Sequence, residues 1–315
     1  MKIVVTGAAG FIGSNLVDFL LMDGHVVIGL DNMDDYYNIE YKFENLTSAR
    51  CLNQFEFHKL DIRDKEAVNN FFYVHNPDLV VHLAARAGVR PSISDPLGYY
   101  EVNVLGTINI LNAMCQVGCR NAIMASSSSV YGNNNVPFSE FDLVDSQISP
   151  YASSKKAMEN ICHVYSALHN LNITCLRFFT VYGPRLRPDL AIYKFVESIY
   201  SNKQITMFGK GDTSRDYTYI TDIIDGINSA MYSLDSFKIF NLGGSNPVLL
   251  SELIKEIELA TDLKANVEYL DLPPGDVIST YADLQKSQLE LGYFPKVSLS
   301  VGMKSFVDWY KNNRL

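Results

Sequence analysis

The chain has 315 residues, of which 47% are hydrophobic and 19% charged, and its formal net charge is −9. That length builds one large domain or two cooperating ones, and the acidic balance argues against nucleic acid as a partner. In chain order, residues 3–6 read as a short buried strand, 11–22 as a helix and 26–30 as a second strand ending at Asp31-Asn32. Apolar runs at 55–60, 79–83, 122–125 and 173–178 predict further buried strands. Helical patterns near 65–74, 97–116 and 151–169 lie between them. Strands alternating with helices imply an α/β protein with a doubly wound parallel sheet covered on both faces. After about residue 176 prolines and glycines punctuate shorter elements. A helix is expected at 222–232, a strand at 238–242, and helices at 251–261 and 299–310. The expected organisation is a first domain over 1–175, to which segments near 221–242 return, and a smaller C-terminal α/β domain over 176–315.

The five cysteines form no Cys-x-x-Cys pair and the six histidines show no metal-ligand spacing, so a reduced cytoplasmic protein without a metal site is expected. The apolar first 22 residues are interrupted by glycines and Asp18, which argues against a signal peptide. No stretch has the length and purity of a membrane span.

Gly7-Ala8-Ala9-Gly10-Phe11-Ile12-Gly13 follows the first strand and opens the first helix. Gly7 permits the tight turn, Gly10 lets the backbone approach a pyrophosphate, and Gly13 lets the helix pack closely on the strand. The helix N-terminus then favours the negative charge. This is a Rossmann-type context. Asp31 suits ribose hydroxyls and repels a 2′-phosphate, which favours NAD over NADP. Asp61-Ile62, at another strand end, suits the adenine edge, or Asp61 caps the following helix. Tyr36-Tyr37 covers the adenine or is simply loop.

Tyr151 and Lys155 lie four apart at the start of a helix, on one face. A lysine ammonium beside the phenol lowers its pKa, which makes Tyr151 a candidate base for an alcohol proton. Ser127, at a strand end, suits the same alcohol.

From end to end the chain resembles the extended short-chain dehydrogenases/reductases, and within them the UDP-glucuronate 4-epimerases. Beside the glycine turn and Tyr151–Lys155, the match rests on Leu83-Ala84-Ala85-Arg86-Ala87-Gly88-Val89-Arg90, the Ser126–Gly132 segment, Thr180-Val181-Tyr182-Gly183-Pro184-Arg185, Arg187-Pro188-Asp189, residues 212–219 and Pro274-Gly275-Asp276. The resemblance implies NAD held by Gly7, Gly10, Phe11, Ile12, Gly13, Asp31, Asn32, Asp61, Ile62, Leu83, Ala84, Ala85, Tyr151 and Lys155. It implies catalysis by Ser127, Tyr151 and Lys155 through a transient 4-keto sugar. A UDP-sugar would contact Gly88, Arg90, Ser127, Ser128, Ser129, Thr180, Arg185, Arg215 and Asp276, and residues 176–315 would form most of its domain.

Related dehydratases and decarboxylases typically carry an acidic residue within the segment that is Ser127-Ser128-Ser129 here. Three hydroxyls would instead hold the substrate carboxylate and, with Thr180, keep it out of line for loss of carbon dioxide. Arg215 matches a phosphate-binding arginine of the family. Arg90 and Arg185 are evenly divided between substrate and solvated surface, and Arg187 flanks the same proline-braced loop. Hexose epimerases often place an arginine just before Pro-Gly-Asp, where Leu272 and Pro273 stand here, so one phosphate contact is missing or comes from elsewhere, such as Lys194. In related enzymes the helices at 97–116 and 151–169 pair across a dimer. Met114, Met158 and Leu168 suit that interface or the monomer core. A UDP-glucose or UDP-N-acetylhexosamine 4-epimerase, a decarboxylase and a non-catalytic NAD-binding regulator are the alternatives.

Overall fold

A computed structural model of the chain describes residues 1–208, 211, 213–270 and 278–315. The first half runs β1 (Lys2–Thr6), α1 (Phe11–Met22), β2 (Val26–Asp31), α2 (Ile39–Asn45), β3 (Phe55–Lys59), α3 (Lys65–His75), β4 (Leu79–His82), α4 (Val89–Ser94) and α5 (Pro96–Tyr100). A π-helical turn at Glu101–Gly106 leads into α6 (Thr107–Val117), then β5 (Asn121–Ser127), α7 (Pro150–His169) and β6 (Asn172–Phe178). The second half comprises β7 (Thr180–Tyr182), α8 (Ala191–Tyr200), β8 (Gln204–Phe208), β9 (Ser214–Tyr219), α9 (Ile220–Met231) and β10 (Lys238–Leu242). It continues with β11 (Pro247–Leu249), α10 (Leu250–Thr261), β12 (Asn266–Leu270), α11 (Gln285–Leu291) and α12 (Leu299–Arg314).

Seven strands form one parallel sheet in the order β3-β2-β1-β4-β5-β6-β10. The order reverses between β1 and β4, which opens the crevice where doubly wound sheets bind ligands. Side chains alternate across the pleat, so Ile3 and Val5 enter one apolar layer while Val4 enters the other. The first layer is closed by Leu16 and Leu20 of α1 and by Ile223 and Ile227 of α9. The second is closed by Phe72 of α3, Ile110 and Met114 of α6, and Met158 and Cys162 of α7. Met114 and Met158 are therefore core residues and not interface residues, whereas Leu168 is exposed.

Strand β10 pairs with β6 at the sheet edge, and β6 itself runs to Phe178. Beyond it, β7, β9 and β11 form a small mixed sheet and β8 pairs with β12. No helix among the described residues is long and apolar enough to cross a membrane.

The single helix expected over 97–116 is broken. A π turn inserts an extra residue and rotates the side chains that follow. Two contacts account for it. Gly106 passes directly against Ile62, and Asn103 turns inward between the loop after β4 and α7.

Candidate active site

Strand β1 delivers Gly7 into the crevice at φ +69°, a backbone region that L side chains rarely adopt. A Cβ on Gly7 would press on the Ala84 backbone, and one on Gly13 would strike the Gly7 carbonyl. The turn thus fits between β4 and α1 only as glycine. Gly10 is the N-cap of α1 and offers no side-chain cap. Its amide bonds back to the Gly7 carbonyl at 3.1 Å, and the first helical bond runs from Ser14 to Gly10 at 3.0 Å. The amides of Phe11, Ile12 and Gly13 therefore sit in the first turn, where a helix has no acceptors of its own. This is the cradle a pyrophosphate needs.

Asp31 is buried at the end of β2 and is fixed by local donors. Its carboxylate accepts the Ala9 amide at 3.2 Å and the Met33 amide at 2.8 Å. Lys42, buried on α2, donates to it at 3.3 Å. Sequence reasoning missed Lys42, whose only signal was a lysine in the loop-to-helix segment after Asp31. Asn32 donates to Asp61 at 3.2 Å, which joins the ends of β2 and β3. Asp61 does not cap α3: Asp64 does, accepting the Ala67 amide at 3.0 Å. Hydrogen bonds from Arg63 hold the Asp61 carboxyl down at about 2. Ile62 is buried under Gly106. Leu83, Ala84 and Ala85 follow β4, with Leu83 and Ala84 tied to the Thr6 carbonyl and hydroxyl. The donors and the acidic end of β2 fit a dinucleotide bound across the β1–β4 crevice.

Strand β5 ends in Ser126-Ser127, and alternation sends these serines opposite ways. Ser126 donates to Glu159 at 2.6 Å, which is held by Arg177 through two contacts of 2.8 and 2.9 Å. Ser127 faces the site, accepts the Ser129 amide at 3.1 Å and hydrogen-bonds the Tyr151 phenol. Ser128 and Ser129 form a half-buried 3-10 turn beside it.

Tyr151 lies in the first turn of α7, started by the Ser149 cap. Burial pushes its phenol above the usual value, while the Ser127 hydrogen bond and the Arg187 charge pull it down. The Lys155 ammonium donates to the Ala125 carbonyl at 2.7 Å, and burial lowers it to about 8. The expected pull of Lys155 on the phenol is thus replaced: the cation acting on Tyr151 is Arg187, because Lys155 is turned to the β5 backbone. Tyr99 meets Tyr151 edge-on with ring centroids 6.1 Å apart.

The two loop arginines part company. Arg185 pairs with Asp18 of α1 at 2.7 Å, which ties the loop to α1. Arg187 is clamped by Asp189 at 2.9 and 2.6 Å, and its charge is felt by Tyr36, Tyr37, Tyr99 and Tyr151. The sequence reading placed Arg185, not Arg187, among the substrate contacts, because adjacency along a loop does not reveal which side chain turns inward. It also missed Asn103, which accepts the Arg86 amide at 2.8 Å and donates to the Ser154 hydroxyl at 2.9 Å.

Gly88 caps α4, where Arg90 is exposed. Thr180 opens β7 and pairs with Tyr217 of β9, which puts it in one small sheet with Arg215. Arg215 is half-buried and donates to the Ser214 carbonyl at 2.8 Å. Asp276, and the Leu272-Pro273 departure before it, lie outside the described residues.

A family model described as NAD dependent epimerase/dehydratase matches residues 3–243. A UDP-glucuronate 4-epimerase of Thermodesulfobacterium geofontis is 40% identical, with 98% of this chain and 96% of that one covered. The solved UDP-glucuronic acid 4-epimerase of Bacillus cereus, in complex with UDP-glucuronic acid and NAD, is similar at a TM-score of 0.94, with 36% identity over 99% of both chains. The UDP-glucose 4-epimerase of Thermotoga maritima, with UDP-glucose, is similar at 0.92, with 31% identity over 99% of both chains. Glycine cradle, acidic strand end, Tyr151–Lys155 face and whole-chain likeness agree, and the chain belongs to the NAD dependent epimerase/dehydratase family.

Proposed function

We propose that the protein interconverts UDP-glucuronate and UDP-galacturonate by inverting C4 of the sugar, an isomerisation without net redox change. The observation that carries this reading is the run of three hydroxyls, Ser127, Ser128 and Ser129, beside Tyr151, where elimination chemistry would call for a carboxyl group. The Gly7–Gly13 cradle and Asp31 would hold NAD, which would supply a reversible hydride acceptor for C4. Tyr151 takes the proton of the 4-hydroxyl and gives it back. Ser127 holds the same oxygen and fixes the phenol. Arg187 supplies the positive potential that favours the phenolate, and Lys155 is anchored on the Ala125 carbonyl one helical turn along from Tyr151. Ser128, Ser129 and Thr180 hydrogen-bond the C5 carboxylate. That keeps it out of line with the C4 carbonyl and slows decarboxylation of the β-keto acid. Arg215, with Arg90, faces the diphosphate, and residues 176–315 supply most of the nucleotide-sugar side.

UDP-glucuronate has the charged group these hydroxyls suit, and UDP-glucose does not. The test is kcat/KM for both nucleotide sugars with the same enzyme. A clear preference for UDP-glucuronate supports the reading, and a preference for UDP-glucose replaces it with a hexose epimerase. The working form is a homodimer, supported by exposed Leu97, Leu105, Val164 and Leu168 on α5, the π turn and α7. Sedimentation of the purified protein checks it. Five free cysteines suit the cytoplasm.

A further inference from the structure

Glu56, His58 and His75 converge at the edge of the sheet, outside every residue placed at the crevice. Glu56 and His58 are two apart on β3, so they point to the same side of the strand. His75 is the last residue of α3, which packs over that side. One ligand atom from each of the three lies within 4.8 Å of the others. His58 Nε2 is 2.8 Å from one Glu56 oxygen, and His75 Nδ1 is 4.0 Å from the other. The imidazoles meet edge to face with centroids 4.7 Å apart, and Phe71 flanks both. Spacing along the chain hid this trio, because its members come from two elements joined only by folding.

We infer that Glu56, His58 and His75 form a binding site for a divalent transition metal ion, with Zn2+ the best match. Two imidazole nitrogens and one carboxylate oxygen are the donors that a borderline-soft ion prefers, and water completes a tetrahedron. Imidazole must be neutral to ligate. Small side-chain rotations close the remaining gaps, since Glu56 is exposed and His58 is half-buried.

The location sets the consequence. Glu56 and His58 pair with Ile28 and Leu30 of β2 on the edge strand, and β2, β1 and β4 lie between that strand and β5, which carries Ser127. The ion therefore takes no part in the chemistry. It clips the edge strand β3 to the end of α3, and it stabilises the folded state by binding that state alone.

The test uses the full chain after treatment with a strong chelator. Zn2+ alone is titrated by calorimetry, and Co2+ alone is titrated while its visible absorption is followed. The expected result is saturable binding of one ion per chain, a tetrahedral Co2+ spectrum and a raised thermal midpoint. Glu56→Gln and His58→Gln, both at accessible positions, are each expected to weaken binding about tenfold or more. Turnover of UDP-glucuronate stays unchanged in both variants and after chelation. Absence of saturable binding overturns the inference, as does full retention of binding in either variant.

Discussion

Tyr151 shares a helix face with Lys155, but its phenol answers to Ser127 and Arg187. Removing the hydroxyl leaves the cofactor cradle untouched. Tyr151→Phe is therefore expected to lower kcat by about a hundredfold or more, with NAD still recovered from the purified protein. Unchanged turnover would falsify the assignment of Tyr151 as base. Arg187 lowers the phenol's pKa, so Arg187→Gln raises it. The limb of the pH–rate profile governed by the base then moves to higher pH, and a limb that stays in place would remove Arg187 from that role. Deeper in the molecule, Glu159 holds both Ser126 and the fully buried Arg177. Glu159→Gln leaves a buried guanidinium without its counter-charge. That is expected to cost about 3 kcal/mol in urea unfolding. A loss near zero would show that the amide suffices.

Elements with strong periodic burial were legible in the sequence. Helix α1 and strand β10 have the expected limits, because apolar residues repeat cleanly and glycine or polar residues bound them. Helix α8 and the small strands β7, β9 and β11 were not read. Their burial depends on the partner they pack against, and short segments carry little period of their own. The π turn at Glu101–Gly106 was equally invisible, since it answers to Ile62, Arg86 and Ser154 from elsewhere in the chain. The residues of the site divide along the same line. Gly7–Gly13, Asp31, Tyr151 and Lys155 carry local patterns, whereas Lys42, Asn103 and the inward turn of Arg187 are products of tertiary contact. His82 links two such elements, bonding Thr6 of β1 at 2.8 Å and Thr107 of α6 at 3.1 Å. Burial lowers it from 6.5 to about 3, so it stays neutral in the fold where an unfolded histidine takes up a proton. Its contribution is fully present above the unfolded pKa and is lost as pH falls from 6.5 toward about 3, by up to about 1.4 kcal/mol per pH unit. Urea unfolding at about pH 7 and about pH 5 should show a steeper loss for the native chain than for His82→Gln. Equal slopes would contradict this account.

At the scale of the whole molecule, the parallel sheet and the small sheet of β7, β9 and β11 work as two banks. The first presents the glycine cradle, Asp31 and Ser127 at the carboxyl ends of its strands, with Tyr151 beside them on the first turn of α7. The second carries Thr180 and Arg215. An epimerase needs both banks: a retained hydride acceptor on one side, and a grip on the diphosphate that lets the sugar turn over on the other. In the proposed reaction the three serines decide which chemistry follows oxidation at C4, because they offer hydroxyls where an acid would drive elimination. The most direct measurement is chromatographic resolution of the products after the purified protein is incubated with UDP-glucuronate and NAD. The account predicts UDP-galacturonate as the main product with no net NADH. A UDP-pentose released together with carbon dioxide as the main product would contradict it.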